Sequence, residues 1–440
     1  MQAAAFVANT KFRNIPEGAV KKAKDAIHDC YGVTLAAKDA AAATIISDYI
    51  SEQSCLPKAT VLGLGIKSSS ENAAFANGVL AHTLDYDDLH VGSGGHISCV
   101  LLPVILALGE EREASGADIL TAYIVGFEII CRLGRQISRQ SKALGFHTTS
   151  LWGPVGAAAA AASLMKLDIH HTRMALAIAA SCASGLAGNF GSMTKGFHCG
   201  SSARAGLVAA KLAQKGFTGA SDILERDRGF ITTYSQAPAA PDAMNTLGKA
   251  FALADGVEFR LYPGRPESQS AIATALCLVK TQDVAPQDVE EIIYETSKKV
   301  PNPANEEKFS IEYSMAAVIL DRAAGVAQFR DEAVERPEAR ALMRKFTYAH
   351  PIDHGGPEGA LNERIRLRLR DGREVSHRVD RPVGILGGEI DTESLVMKYR
   401  NCAGSALSPT QVEGSLELLR NLENLGNIAD LIGPFSASRN

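Results

Sequence analysis

The chain has 440 residues, 46% of them hydrophobic and 21% charged, and a formal net charge of −4. That length exceeds one ordinary hydrophobic core, and the composition is that of a soluble globular protein. The small net charge makes no electrostatic case for nucleic acid or an anionic membrane as partner. No run of about 20 apolar residues occurs, and the stretch from Met1 to Ala8 is too short, and lacks the basic lead, for a secretion signal. A cytoplasmic location is therefore expected.

Along the chain, Ala19, Val20, Ala23, Ala26, Ile27, Cys30 and Tyr31 recur at helical spacing, with Lys21, Lys22, Lys24 and Asp25 on the other face. This predicts a helix over 17–37. Further helices are predicted over 71–84, 100–112, 117–138, 152–165, 171–186 and 201–215, with Pro, Gly and Asp punctuating their edges. Many of their apolar positions are Ala or Gly, which lets helix axes approach closely. After about residue 250 the pattern changes. Residues 289–296 read as a strand with a continuous apolar centre. Arg364-Ile-Arg-Leu-Arg-Leu-Arg370 alternates strictly into Asp371-Gly372, then Val375 and Val379, which is a hairpin signal. Helices are expected between these strands, over 309–328 and 331–346, and the segment 391–425 turns helical again. The fold class expected is mainly α with a smaller α+β domain: a helical domain over 1–250, an α+β lid domain over 251–390, and a C-terminal segment over 391–440 returning to the helical domain.

Five stretches carry residues suited to chemistry. In the first, His82-Thr-Leu-Asp85-Tyr-Asp87-Asp88-Leu-His90 is followed by Gly92-Ser-Gly-Gly-His96. His82 and Asp85, and Asp85 and Asp88, are three apart and share a face on a helix. The glycine-rich loop can bring His96 back towards Asp85. A carboxylate beside an imidazole fixes its tautomer and raises its basicity, which suits a general base. Asp and His equally ligate divalent metals, and short acidic runs also cap helices. In the second, His147-Thr-Thr-Ser150 leads towards Pro154, a favoured first helical residue. Its hydroxyls and the first backbone N–H groups would make an anion-binding corner. In the third, Lys195 and His198 precede a helix expected to begin near Ser201, whose N-terminus favours negative charge. In the fourth, Arg260 and Arg265 flank Tyr262-Pro-Gly264, and arginine pairs with carboxylates through two N–H groups. In the fifth, Tyr313 enters a helix rich in small residues.

The eight cysteines form no Cys-x-x-Cys pair and show no zinc or iron–sulfur spacing, so they read as free buried thiols. There is no phosphate loop, no dinucleotide fingerprint and no Gly-x-Ser-x-Gly elbow. What remains is acid, base and cation, a set suited to moving a proton next to a carboxylate.

With these motifs in place the chain resembles the MmgE/PrpD family, whose members include 2-methylcitrate dehydratase, cis-aconitate decarboxylase and iminodisuccinate epimerase. The resemblance runs from about residue 17 to about 400. It rests on Asn77-Gly-Val-Leu-Ala-His82-Thr-Leu-Asp85-Tyr-Asp87-Asp88, Gly145-Phe-His147, Lys195-Gly-Phe-His198-Cys-Gly200 leading to Gly206, and Phe309-Ser-Ile-Glu-Tyr313. It implies a helical domain with an α+β domain over it, a homodimer, and an active site needing neither metal nor cofactor. Carried over by motif, Asp85, His96, His147, Lys195 and Tyr313 match the family's catalytic positions, with Arg260, Arg265, Tyr262, His90 and His198 expected to bind substrate.

There are departures from the family pattern. Arg260 stands where the family has Lys, Arg265 falls near a family His, and Ser268 to Ser270 occupy the place of a further His. Leu89 follows the double Asp where some members have Thr, and His96 comes one place late. Arginine stays charged at any working pH, so it binds carboxylates but is a poor general acid. The expected activity is that of a lyase on a small di- or tricarboxylate. Lys195 and Arg260, helped by Arg265, would hold carboxylates; His96, oriented by Asp85, would take the proton; His147 or Tyr313 would return one. An epimerase of a dicarboxylate and a non-catalytic carboxylate-binding protein are the alternatives.

Overall fold

The computed structural model describes residues 2–240, 244–254, 256–264, 266–296, 310–349, 363–378 and 390–433. They divide into two compact units. The first comprises residues 1–83, 87–257 and 396–440, and the second 84–86 and 258–395. The tripeptide Leu84–Tyr86 groups with the second unit, although its neighbours on both sides group with the first.

The first unit is a helical body. Its helices are α1 (Gln2–Asn9), α2 (Glu17–Ala36), α3 (Ala41–Ser51), α4 (Ser70–Thr83), α5 (Ser98–Arg112), α6 (Gly116–Ala143), α7 (Thr148–Leu164), α8 (Ile169–Ala180) and α9 (Thr194–Gln214), with a small hairpin of β1 (Ala59–Val61) and β2 (Ile66–Ser68). Most of α12 (Thr392–Ala403) and all of α13 (Pro409–Arg420) also belong to it. No helix among the described residues is long and apolar enough to cross a membrane.

α7 is the centre of this body: from Thr148 to Ala162 every residue is buried. A helix apolar on all sides has neighbours on all sides, and small side chains let those neighbours come close. The crossing of α4 and α9 shows how close. A Cβ on Gly78 would lie 2.7 Å from Cα of Gly200, and one on Gly200 would lie 2.3 Å from the Phe75 carbonyl oxygen. Two backbones in contact at this point fix the end of α4, which carries His82, against the start of α9, which carries Lys195 and His198.

Two helix starts differ from the sequence reading. α7 begins at Thr148, and Pro154 lies inside it rather than at its first position. A proline there leaves the carbonyl four residues back without its helical donor, and that carbonyl, of Ser150, accepts from the Ser184 N–H at 3.4 Å instead. α9 begins at Thr194, so Lys195 sits in its first turn and not ahead of it.

The second unit has a four-stranded sheet of β3 (Val289–Glu295), β4 (Phe346–Ala349), β5 (Arg364–Leu369) and β6 (Glu374–Arg378), in the order β4-β3-β5-β6. β3 and β4 are parallel; the other pairs are antiparallel. The alternation in β5 behaves as its pattern implies. Ile365, Leu367 and Leu369 are buried, while Arg366 and Arg368 pair with Glu295 and Glu291 on the other face. Helices α10 (Pro266–Thr281) and α11 (Ile311–Asp321) pack their apolar residues into the same core. The helix expected over 309–328 ends at Asp321, where Arg322 turns left-handed at φ 51°. That expected over 331–346 is two short helices followed by β4.

A buried polar seam ties α2 to α12. Lys398 pairs with Asp29 at 2.6 Å, and the His28 ring lies 4.5 Å from that of Tyr399. Burial, with Arg420 and Lys398 adding to it, lowers the His28 pKa to about 3. The unfolded chain therefore takes up a proton on His28 below pH 6.5 that the folded chain refuses. Stability is full above that pH and falls progressively below it. His28→Phe keeps the ring and removes the titration. It is expected to lose about 2 kcal/mol less than the parent between pH 8 and pH 5, read from urea midpoints. Gly200→Ala is expected to cost about 1–3 kcal/mol, whereas Gly18→Ala, with open space around the added methyl, is expected to be neutral or slightly stabilising in the same assay.

Candidate active site

The first unit gathers four of the imidazoles at one place, where α4, the loop before α5, the start of α7 and the start of α9 meet. The loop is held from several directions. His90 N–H donates to the Gly95 carbonyl at 3.0 Å, and Ser93 N–H donates to His90 Nδ1 at 2.9 Å. Thr148 Oγ1 donates to the Gly94 carbonyl at 2.6 Å, and Trp152 Nε1 donates to the Ser93 carbonyl at 3.3 Å. Gly94 is left-handed at φ 74°. A Cβ on Gly95 would lie 2.6 Å from Thr149 Oγ1, so the loop can lie this close to α7 only with glycine there. Thr149 Oγ1 then accepts from His96 N–H at 3.0 Å, which sets the backbone of that histidine.

The carboxylate at the centre is Asp87, which is fully buried. His82 Nδ1 donates to its two oxygens at 2.9 and 3.0 Å. His96 Nδ1 lies 3.1 Å from Oδ2 of the same carboxylate and 3.0 Å from the Asp88 carbonyl. Both acceptors require a proton on His96 Nδ1, so the tautomer and the ring plane are fixed together. The sequence reading pairs His96 with Asp85; the carboxylate on its Nδ1 is Asp87, two residues on. The reason is conformational. After α4 ends at Thr83, Asp85 is left-handed at φ 47°, and the helical face it would have shared with His82 no longer exists.

Electrostatics separate the groups. Burial pushes Asp87 up, but the charges of His82 and His96 outweigh it and hold the carboxyl well below its usual range. Burial pulls His82 down, but the charge and hydrogen bond of Asp87, with Cys199 adding to them, raise it above the ordinary imidazole value. Burial raises Asp88 well above the carboxylate range, leaving it neutral. His147, at the N-terminus of α7, is depressed well below 6.5 by burial and by His82, Lys195 and His96. Its Nδ1 lies 3.1 Å from His198 Nδ1, and its ring stacks 6.0 Å from that of His82. Lys195 Nζ sits 5.4 Å over the Phe190 ring, which also packs edge-on against His147. His96, His147, His198 and Lys195, named from the sequence, are thus brought together. Asp87 and His82 complete the group and were missed as actors, because helical spacing singles out Asp85 among the three neighbouring carboxylates.

Other expectations change. His90 does not join this group: its ring is buried 5.5 Å from that of Phe127 and 3.4 Å from Cys131 Sγ, and it holds the loop rather than a substrate. The hydroxyls of 148–150 do not form an open anion corner. Thr148 and Thr149 are engaged with the loop, and Ser150 Oγ donates to the His147 carbonyl at 2.9 Å.

Asp85, Arg260, Tyr262 and Tyr313 belong to the second unit. Arg260 is only 2% exposed. Its Nη1 donates to the carboxylate and the carbonyl of Asp85, and to the Gly264 carbonyl at 3.1 Å. It acts there as a staple for Asp85 and the turn, not as a clamp open to substrate. Gln269 closes the same turn, accepting from Tyr262 N–H at 3.1 Å and donating to the Tyr262 carbonyl at 2.8 Å. Tyr262 packs against the core of this unit, and Ser270 donates to Glu363. Tyr313 lies within the core and donates its hydroxyl to the Gln328 carbonyl, so its phenol faces its own unit. Burial, only partly offset by Arg336, raises that phenol to about 12. Arg265 lies outside the described residues.

Chemically, the first-unit group offers an imidazole anchored on a buried carboxylate, a neighbouring neutral imidazole pair and an ammonium group. This is equipment for moving a proton beside an anion. Asp87→Asn is expected to lower the turnover number roughly 10²–10⁴-fold in a protein whose circular dichroism is unchanged. An unchanged turnover number would remove Asp87 from this role.

Residues 1–241 match the model of the MmgE/PrpD N-terminal domain, and residues 262–424 match that of the C-terminal domain. The chain is 29% identical to a cis-aconitate decarboxylase of Mus musculus, over 96% of this chain and 90% of that protein. It is 29% identical to one of Homo sapiens, over 94% and 90%. With one of Aspergillus terreus it shares 27%, over 84% and 82%.

Proposed function

Since the chain belongs to the MmgE/PrpD family, we propose that it is a carboxylate lyase of the cis-aconitate decarboxylase kind, acting on a small polycarboxylate with its own imidazoles as the proton carriers. The observation that carries this reading is the doubly anchored His96: its Nδ1 proton is committed to Asp87 and to the Asp88 carbonyl, so proton exchange with a substrate falls to the other nitrogen. Lys195 supplies the cation for a carboxylate that stays on the substrate, and His147 with His198 forms a neutral relay beside it.

Decarboxylation is favoured over dehydration because it demands fewer proton transfers. Dehydration must protonate a departing hydroxide as well as move a proton on carbon, and it needs two acid–base groups. Decarboxylation breaks one carbon–carbon bond and releases carbon dioxide, which needs no proton. The electron pair left behind spreads towards the neighbouring carboxylate, and one proton is delivered to carbon. Arginine at 260 and 265 and serine at 268 and 270 are not general acids, so proton transfer rests on His96 with the His147–His198 pair. Positioned proton transfer contributes roughly 10²–10⁴-fold to the simpler reaction, and stabilisation of the developing charge adds to it. The relatives' names agree with this choice.

The test is incubation with cis-aconitate in heavy water, followed by NMR. The expected product is a five-carbon unsaturated dicarboxylate carrying one deuterium on carbon, formed with evolution of carbon dioxide and lost in His96→Ala. Deuterium exchange without loss of carbon would make the chain an epimerase or isomerase. Gain or loss of water would make it a dehydratase. Neither exchange nor carbon dioxide from any of a panel of di- and tricarboxylates would overturn the reading altogether.

A further inference from the structure

Beneath the imidazole group, three helices bring two thiols and one imidazole together. Cys99 lies in the first turn of α5, Cys199 in α9, and His82 near the end of α4. The two sulfurs are 3.5 Å apart, and both cysteines are fully buried. One ligand atom from each of His82, Cys99 and Cys199 lies within 4.8 Å of the others. His82 Nδ1 is occupied by Asp87, whereas its Nε2 is buried and has no hydrogen-bond partner among the described residues. Nε2 is therefore the nitrogen left to face the sulfurs.

The geometry points to a binding site for a thiophilic d¹⁰ cation, with zinc as its representative, held by Cys99 Sγ, Cys199 Sγ and His82 Nε2. Zinc–sulfur bonds of about 2.3 Å at tetrahedral angles place two thiolates roughly 3.8 Å apart, with a ligating nitrogen roughly 3.6 Å from each. The sulfurs need only a few tenths of an ångström of opening, and the imidazole closes in by no more than about 1.2 Å. Soft sulfur with one imidazole selects zinc or copper(I) and excludes magnesium and calcium, which take oxygen. The surroundings also fit. A metal-bound histidine ordinarily donates its other N–H to a carboxylate, and His82 already does so to Asp87. On binding, each thiol releases one proton and the His82 imidazolium gives up its Nε2 proton to bind as the neutral ring, so three protons leave and two thiolates balance the dication.

The ion would not take part in the proposed chemistry. Its consequence runs through Asp87, which His82 and His96 share. A cation on His82 Nε2 makes the Nδ1 proton a stronger donor to Asp87 and weakens the hold of that carboxylate on His96. Occupancy is therefore a brake on turnover by thiophilic ions.

Binding, not activity, is the primary test. Protein reduced and stripped of metal is titrated with zinc alone, and the bound metal is examined by X-ray absorption. One equivalent is expected with a Kd below about 1 μM, with two sulfur neighbours at about 2.3 Å and a nitrogen at about 2.0 Å. Replacement by cobalt(II) is expected to give thiolate charge-transfer bands and tetrahedral visible bands. Cys199→Ser is expected to weaken binding roughly 100-fold or more, whereas Cys55→Ser, at an exposed thiol, leaves it unchanged. Oxygen-only coordination, an absence of binding in the parent protein, or undiminished affinity in Cys199→Ser would each overturn the site, and the first two do not depend on any variant folding.

Discussion

Asp87 carries its charge where no water reaches it, and a carboxylate in that position costs several kcal/mol unless it is compensated. Two imidazoles compensate it, one from each side. Much of the first unit can be understood as what is needed to bring them there. The contact of Gly78 with Gly200 sets where α4 ends and so where His82 stands. The glycine loop, fastened by His90, Thr148, Ser138 and Trp152, determines where His96 emerges. Asp88, next in sequence and equally buried, takes the other solution and stays neutral. Two adjacent carboxyl groups in one low-dielectric region are thus shifted in opposite directions, because His82 and His96 outweigh burial at Asp87, whereas Lys398 does not outweigh it at Asp88.

The helical body was legible because its signals are local. Periodic alanines, the Pro, Gly and Asp punctuation at helix edges and the strict Arg–apolar alternation of β5 depend on neighbours in sequence alone. The starts of α7 and α9 were not legible, since both depend on partners far along the chain. Pro154 is tolerated inside α7 only because the Ser150 carbonyl finds a donor in Ser184. The strand β4, of which only Phe346 falls within the helix expected over 331–346, was missed because its four residues have no pattern of their own; they become a strand by pairing with β3.

The site divides in the same way. His96, His147, His198 and Lys195 could be named from residue type and motif. Which carboxylate serves His96 could not, since that depends on the left-handed turn at Asp85, and a side-chain count cannot show a backbone angle. Arg260 illustrates a second limit. A buried guanidinium in a turn has to find acceptors within the fold, and it finds them in Asp85 and Gly264. An arginine that is satisfied by its own backbone looks, in sequence, the same as one waiting for a ligand. The pairing of Cys99 with Cys199 across 100 positions lies beyond any spacing rule.

The chain contains a single tryptophan. Trp152 is fully buried, and its indole N–H donates to the Ser93 carbonyl in the loop that presents His96. Indole emission depends on the polarity around the ring and on what its N–H touches. The indole fluorescence of the whole protein is consequently a local signal, from a ring hydrogen-bonded to Ser93, three residues before the proposed proton carrier. Any event that shifts this loop is visible in the unlabelled native chain, at a position no added dye could occupy without disturbing it.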